Sequence, residues 1–182
     1  MIKKHTHSNT KPIRVFFAIF PDKSVQAQLA HQAEQLESIC GGSAVKMQQI
    51  HLTLLFLGNI AIHQLEILQQ AMKNISAEKF EFKLEEICYW KHNQIVYSQT
   101  KQFPVALFTL VDTLRNALSE AGFQIDTRAY KPHVTLIRKA THCTKTNLDI
   151  PLVWHVNEWF LIQSKQTHSG VEYIPLSQWH LR

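Results

Sequence analysis

The sequence is poor in the residues that staple small extracellular folds. It has three cysteines, Cys40, Cys88 and Cys143, an odd number at wide spacings with no CxxC pair. That argues against a disulfide framework and against a zinc knuckle, and the expectation is reduced thiols. No apolar run approaches the roughly 20 residues that cross a bilayer. The opening MIKKHTHSNTKP has no apolar signal-peptide core. A soluble, cytoplasmic protein without membrane contact is therefore expected. Glycine (5) and proline (6) are scarce and charged residues make up 18% of the chain, so disorder is not expected beyond the ends. Acidic residues are only slightly outnumbered, 14 against 19 basic, for a net charge of +5. This fits an anionic partner such as nucleic acid, although many soluble proteins with no such partner carry the same excess.

What is present suits one compact unit. A chain of 182 residues that is 45% hydrophobic can bury one core or two small lobes sharing a core. Residues 1–11 read as a flexible polar tail, with His5 and His7 as an H-x-H that could clip a metal only if the tail were held still. Residues 12–182 read as a single domain. Arg14–Phe20 (RVFFAIF) predicts a strand buried on both faces. Asp22 is placed to cap a helix with an apolar stripe of Val25, Leu29, Leu36 and Ile39, ended by Gly41-Gly42. A strand from His51 stops at Gly58-Asn59. A helix over 62–74 follows, with Ile62, Leu65, Leu68 and Met72 on one face. Strands over 79–89 and 94–99 lead to a helix opened by Pro104, with Leu107, Leu110, Leu114 and Leu118 inward. A strand from His133, a polar loop over 140–151, and strands over 154–164 and 171–177 complete seven strands and three helices. Each half has a long helix followed by a strand that opens on H-x-T. The order predicts an α+β fold with mostly antiparallel sheet and a repeated architecture.

The repeat carries the chemistry. HLTLLFLG starts at His51 and HVTLIR at His133, 82 residues later. Strand side chains alternate faces, so His51 and Thr53 share one face and Leu52 and Leu54 the other. His133 and Thr135 are related in the same way, opposite Val134 and Leu136. If the apolar faces build the core, the polar faces can line a cleft where two imidazoles and two hydroxyls converge. That set suits phosphodiester cleavage by general acid–base catalysis. Imidazole titrates near about 6.5, so one ring can be charged while the other is neutral. A charge on one opposes protonation of the other. Threonine hydroxyls can donate to the non-bridging oxygens. No cofactor and no metal is required.

These residues resemble the two-histidine phosphoesterase superfamily, whose mark is a pair of H-x-[ST]-hydrophobic motifs. Within it the sequence is most similar to the bacterial and archaeal RNA 2′,3′-cyclic phosphodiesterase family, historically called 2′-5′ RNA ligase. RVFFAI resembles that family's first strand, HLTLLFLG its first motif, and RAYKPHVTLIR (Arg128–Arg138) its second. FLIQS and YIPLSQWHL resemble its C-terminal hairpin. The resemblance implies a bilobal fold: two pseudo-symmetric lobes of mainly antiparallel sheet, helices outside, and a central active-site groove. It implies hydrolysis of a terminal 2′,3′-cyclic phosphate on RNA to a 2′-phosphomonoester; nothing in the sequence demands more than a monomer. The alternatives are 2′-5′ ligation of tRNA half-molecules by the same site, or an RNA- or nucleotide-binding module without turnover. Carried over, His51 would protonate the departing 3′ oxygen, His133 would activate water, and Thr53 and Thr135 would hold phosphoryl oxygens. Arg128 and Arg138 match positions flanking the second motif and would meet phosphate. Arg138 is out of phase with His133 on an ideal strand, so a role in the cleft needs a bulge or a reach around the strand end; otherwise it is a surface arginine. Tyr130 would stack on a base or pack between the lobes. Phe17 and Phe56 are assigned to the core, Lys46 to solvent or RNA backbone, and His142, Cys143 and His155 suggest a metal only loosely.

Overall fold

Residues Val15–Ile19 are buried on both faces of the first strand, and this double burial organises the molecule. Val15, Phe17 and Ile19 enter the main core, while Phe16 and Ala18 join Ile162 in a second, smaller apolar cluster. The computed structural model of the protein describes residues 11–168 and 170–182. Of the expected tail only Lys11 is among them; residues 1–10, with His5 and His7, lie outside the described residues, as does Ser169.

Strand β1 (Ile13–Ile19) is followed by helix α1 (Lys23–Cys40), β2 (Ser43–Ala44), a 3-10 turn over Met47–Gln49, and β3 (Leu52–Ile60). Then come α2 (Gln64–Met72), β4 (Phe80–Trp90), β5 (Ile95–Gln99), α3 (Val105–Glu120) and β6 (Val134–Arg138). The chain ends in β7 (Thr146–Val156), β8 (Glu158–Thr167) and β9 (Gly170–His180). The Asp22 side chain accepts from the Val25 amide at 2.9 Å and caps α1. Gly41 and Gly42 end it with φ of +68° and +89°. A side chain on Gly42 would collide with the Arg138 carbonyl, so this glycine is what lets β2 lie against β6. Ile39, expected inside, is 64% exposed; Ala33 and Cys40 are buried instead, which keeps the helical period from Leu29.

Among the described residues all the strands pair antiparallel in one nine-stranded sheet of order β7-β4-β5-β6-β3-β1-β8-β9, with β2 beside β6. The sheet divides at its middle. β3 and β6 share only the pair Leu52↔Val134. To one side β3-β1-β8-β9 runs outward; to the other β6-β5-β4-β7 does. Each half contains strand, helix and H-x-T strand in that order, β1–α1–β3 and β5–α3–β6, which makes the two lobes pseudo-symmetric. The helices pack across the divide, α1 against β6 and α3 against β3. Leu107, Leu110, Leu114 and Leu118 are all fully buried.

Three expectations need correction. The stretch 140–151 is not a loop throughout, since β7 begins at Thr146. The single strand over 154–164 is two, broken at Asn157 between β7 and β8. β3 runs through Gly58 to Ile60, because Gly58 takes φ +79° at an irregularity opposite Val15. The thiols also differ from expectation. Cys40 and Cys143 form a disulfide across 103 residues of sequence, with Cα atoms 5.0 Å apart. Wide spacing along the chain conceals this proximity: the Thr141 amide donates to the Cys40 carbonyl at 3.0 Å and draws the two segments together. Cys88 is free and buried. No helix among the described residues is long and apolar enough to cross a membrane.

Candidate active site

The Leu52↔Val134 pair sets the geometry of the polar residues. In an antiparallel register, positions one step to either side oppose each other. His51 therefore stands opposite Thr135, and Thr53 opposite His133. The four side chains form a two-by-two patch on the face of the sheet away from the helices. The two imidazoles occupy its diagonal, where Cβ atoms lie about 7–8 Å apart. A phosphate over the patch has an imidazole on either side.

Each ring is held in the same way. His51 Nδ1 donates to the Gln49 carbonyl at 2.6 Å, and His133 Nδ1 to the Lys131 carbonyl at 2.8 Å. A carbonyl only accepts, so both rings carry their proton on Nδ1 and present Nε2 as the working nitrogen. The Thr53 hydroxyl donates to His51 Nε2 at 3.0 Å. Aromatic side chains pack around the rings. Phe16, Phe20 and Tyr173 surround His51 at centroid distances of 5.1, 5.6 and 5.2 Å. Trp90 and Tyr97 meet His133 edge-on at 4.6 and 5.7 Å.

This packing depresses both imidazoles. Burial pulls His51 down to about 4, opposed by the Gln49 hydrogen bond and reinforced by the charges of Arg138 and His133. Burial also lowers His133, against its bond to Lys131 and with help from Arg138. Burial thus favours two neutral rings at neutral pH, His51 the more strongly so.

Arg138 reaches the groove because β6 bulges. Val96 pairs with Ile137 but Tyr97 pairs with Thr135, which leaves Leu136 as an extra residue. Leu136 and Ile137 are both buried, and the alternation resumes with Arg138 on the groove side. The same irregularity occurs in β3, where Phe17 pairs with Leu55 and Ala18 with Thr53, leaving Leu54 extra. Phe56 is thereby turned outward and is 43% exposed, not in the core, whereas Phe17 is fully buried. Residues 51–56 and 133–138 follow one burial pattern, so Phe56 and Arg138 are counterparts. The sequence reading missed Phe56, although aligning HLTLLF with HVTLIR would have paired it with Arg138.

Two cavities meet at the patch. The larger, about 1060 Å³, is lined by His51, Thr53, Phe56 and Tyr173 and by six cations, Lys11, Arg14, Lys46, Arg138, Lys139 and Lys165, with no carboxylate. The smaller, about 510 Å³, is lined by His133, Thr53, Phe56, Trp90, Tyr130 and Arg115 among others. Burial pushes the Tyr173 hydroxyl up, and the Arg138 guanidinium beside it pulls the other way. Tyr130 donates its hydroxyl to the Thr53 carbonyl at 2.9 Å and lies half-buried at the floor of the smaller cavity. Arg128 stands at that cavity's rim with its guanidinium bound to Asp126 at 2.8 and 3.0 Å, away from the patch.

Among the described residues no cluster of three or more His, Cys, Asp or Glu side chains is arranged to hold a metal. His142 Nδ1 lies 2.9 Å from the Thr141 hydroxyl, Cys143 is in the disulfide, and His155 pairs with Glu81 at 3.0 Å on an outer strand.

Known proteins share this arrangement of chain. Residues 19–97 match the family model described as LigT-like phosphoesterase. The RNA 2′,3′-cyclic phosphodiesterase of Escherichia coli K12 is 27% identical over 173 residues, 94% of this chain and 98% of that protein. The RNA 2′,3′-cyclic phosphodiesterase of Thermus thermophilus is 25% identical over 93% of this chain and 91% of its own length. Among solved structures, E. coli LigT complexed with 3′-AMP superposes with a TM-score of 0.87 at 27% identity, over 94% of this chain and 99% of that one. The apo form of E. coli LigT gives 0.84 at 27% identity over the same shares.

Proposed function

We infer that this chain is a LigT-like phosphoesterase, and we propose that it hydrolyses terminal 2′,3′-cyclic phosphates on RNA to 2′-phosphomonoesters. The observation that carries the reading is the two-by-two patch of His51, Thr53, His133 and Thr135, set beside a cavity lined with cations and free of carboxylates. Likeness to the E. coli enzyme along 94% of the chain supports it.

The steps follow from the diagonal. The cyclic phosphate lies over the patch, and Thr53 and Thr135 donate to its non-bridging oxygens, where negative charge must be held. His133 Nε2 takes a proton from water as its oxygen attacks phosphorus. The P–O3′ bond breaks on the far side, and His51 Nε2 gives its proton to the leaving oxygen. Arg138, placed near both rings, balances charge on the phosphoryl group. Burial keeps His51 neutral, so it acquires its proton with the substrate: the incoming anion raises the pKa that burial and the Arg138 charge lower. Lys46 and the other cations of the larger cavity guide the RNA backbone, and Arg128 stays at the rim.

The two imidazoles supply both proton transfers, so turnover is expected to survive excess chelator. We further assign the protein to the cytoplasm as a monomer, where the Cys40–Cys143 pair meets a reducing pool; alkylation and intact mass would report its state. The deciding experiment incubates the pure protein, with chelator, with an oligonucleotide ending in a 2′,3′-cyclic phosphate. A 2′-phosphate product is expected. No product after long incubation, with tight binding retained, would leave a binding module instead.

A further inference from the structure

The two lobes are joined thinly along the sheet. β3 and β6 share only the pair Leu52↔Val134, and the groove lies over that seam. β2 adds the pairs Ser43↔Arg138 and Ala44↔Ile137 at the far end of β6, and the Val45 amide donates to the Leu136 carbonyl at 2.8 Å. One link is covalent. Cys40 ends α1 in the first lobe, Cys143 follows β6 in the second, and the bond between them bolts one lobe to the other. The loop it closes contains both His51 and His133.

The surroundings let this bond open and close with little movement of the chain. The Cys40 carbonyl accepts from the Thr141 amide at 3.0 Å and from the Thr141 hydroxyl at 3.1 Å. The Ala140 amide donates to the Gln94 carbonyl and the Ala140 carbonyl accepts from the Tyr89 hydroxyl, both at 3.0 Å. None of these bonds involves sulfur, so the two segments stay neighbours whether or not the sulfurs are joined. Access is asymmetric. Cys40 is fully buried, whereas Cys143 is half-buried between the exposed His142 and Thr144. An external thiol or disulfide therefore meets Cys143 first. In a reducing compartment a disulfide is rarely a permanent staple; those that form there are usually transient or redox-sensing.

We propose that Cys40 and Cys143 form a reversible lock across the lobes, a disulfide when closed and two thiols when open, whose state sets how firmly the groove holds its two imidazoles at working distance. Closing is an exchange with a low-molecular-weight disulfide. The Cys143 thiolate attacks one of its sulfurs, releases one thiol and leaves a mixed disulfide. The Cys40 thiolate then attacks the Cys143 sulfur and expels the second thiol. Two protein thiols are oxidised, one external disulfide is reduced, and two protons pass to the expelled thiols. A dithiol reverses the steps. The lock acts on the cyclic-phosphate site, and its effect on turnover rests on that reading.

The test compares wild type oxidised with glutathione disulfide and reduced with dithiothreitol, beside Cys143→Ser in the same two conditions, with alkylation and intact mass to assign each state. On reduction of wild type, amide hydrogen exchange across the seam, in peptides covering 50–54 and 132–136, should quicken by about tenfold. The kcat on adenosine 2′,3′-cyclic phosphate should fall by about three- to tenfold as the imidazoles lose their fixed spacing. Cys143→Ser should match the reduced protein in both conditions. A bond that dithiothreitol fails to open in the folded protein overturns the proposal. So does a redox shift in melting temperature with seam exchange and kcat unchanged, which marks a fixed staple. If neither state turns over the cyclic phosphate, the functional reading fails, and seam exchange still decides the lock: faster exchange on reduction supports it, and equal exchange refutes it.

Discussion

The two lobes present the same six-residue frame and finish it differently. His51–Phe56 and His133–Arg138 share their alternation, their extra residue at Leu54 or Leu136, and their Nδ1 bond to a carbonyl two residues earlier. Around the frame they diverge. Beneath His51 the sheet face is apolar, with Phe16, Ala18 and Ile162 as its buried centre. Beyond His133 the corresponding face is more polar: Tyr97 and Cys88 pair in register, and the nearby Glu86 binds Gln99 and Lys145, both at 2.9 Å. Burial raises the Tyr97 hydroxyl to about 12 and raises the Cys88 thiol, so both stay neutral. A duplicated frame thus keeps the geometry of two imidazoles, and the surroundings give each a different tendency to hold a proton.

The sharpest break of this comparison removes one ring at a time. His51→Ala and His133→Ala should each reduce turnover by about 10²–10⁴, the usual contribution of a general acid or base. Near-normal rates in both variants would remove the mechanism. The next break equalises the sixth position. Arg138→Phe makes the second frame match the first and takes away the cation whose charge acts on both imidazoles. A loss of about 10²-fold in kcat is expected, at the lower end for removing a group that stabilises transition-state charge. The same change should also raise the pKa of His51, because the Arg138 charge is among the causes that lower it.

The unequal burial of the rings sets a pH signature. A lowered histidine pKa means the charged form exists only at more acid pH. Free enzyme competent for reaction needs one ring charged and one neutral. Both rings lie below 6.5, His51 near 4. The profile of kcat/KM, which reports free enzyme, should therefore peak below pH 6.5 and fall on the alkaline side by about tenfold per pH unit. The profile of kcat, which reports the complex, should peak at higher pH because the bound anion raises both rings. A kcat/KM plateau that extends to pH 8 would contradict the burial argument.

Much of this was legible in the chain. Period-two alternation in HLTL and HVTL placed the four polar groups on one face, and the leucine stripe of α3 lies inside as spaced. The resemblance of Arg128–Arg138 to a known second motif is matched by a fold that superposes on E. coli LigT. The bulges were not legible. Nothing in LLF or LIR says that two successive residues will both turn inward, so plain alternation sends Phe56 to the core and puts Arg138 out of phase with the groove. β7 was obscured by Pro151 and by its many exposed positions. As an edge strand, it tolerates a proline whose missing N–H would face solvent, and Pro175 in β9 sits at the opposite edge for the same reason. The disulfide was hidden because partners separated by 103 residues meet only through the fold.

The smallest expected effect tests the contrast between the cavities. Asp126 holds Arg128 at the rim of the smaller cavity, and its own carboxyl is held down to about 2 by that guanidinium. Asp126→Asn removes the negative charge and leaves Arg128 available to RNA. Both side chains are exposed at the surface, so fold stability should change little. A mononucleotide substrate extends no backbone past the rim, and its kinetics should stay the same. An oligonucleotide that passes Arg128 gains one phosphate contact. The slope of log affinity against log salt should then steepen by about 0.7, the increment for one contact on a single strand, with tighter binding at low salt. The same measurement on Lys46→Ala should show a shallower slope, because that lysine belongs to the cavity assigned to the backbone. If Asp126→Asn steepens the slope and Lys46→Ala leaves it alone, the RNA backbone runs past the smaller cavity, and its assignment to the larger one is overturned.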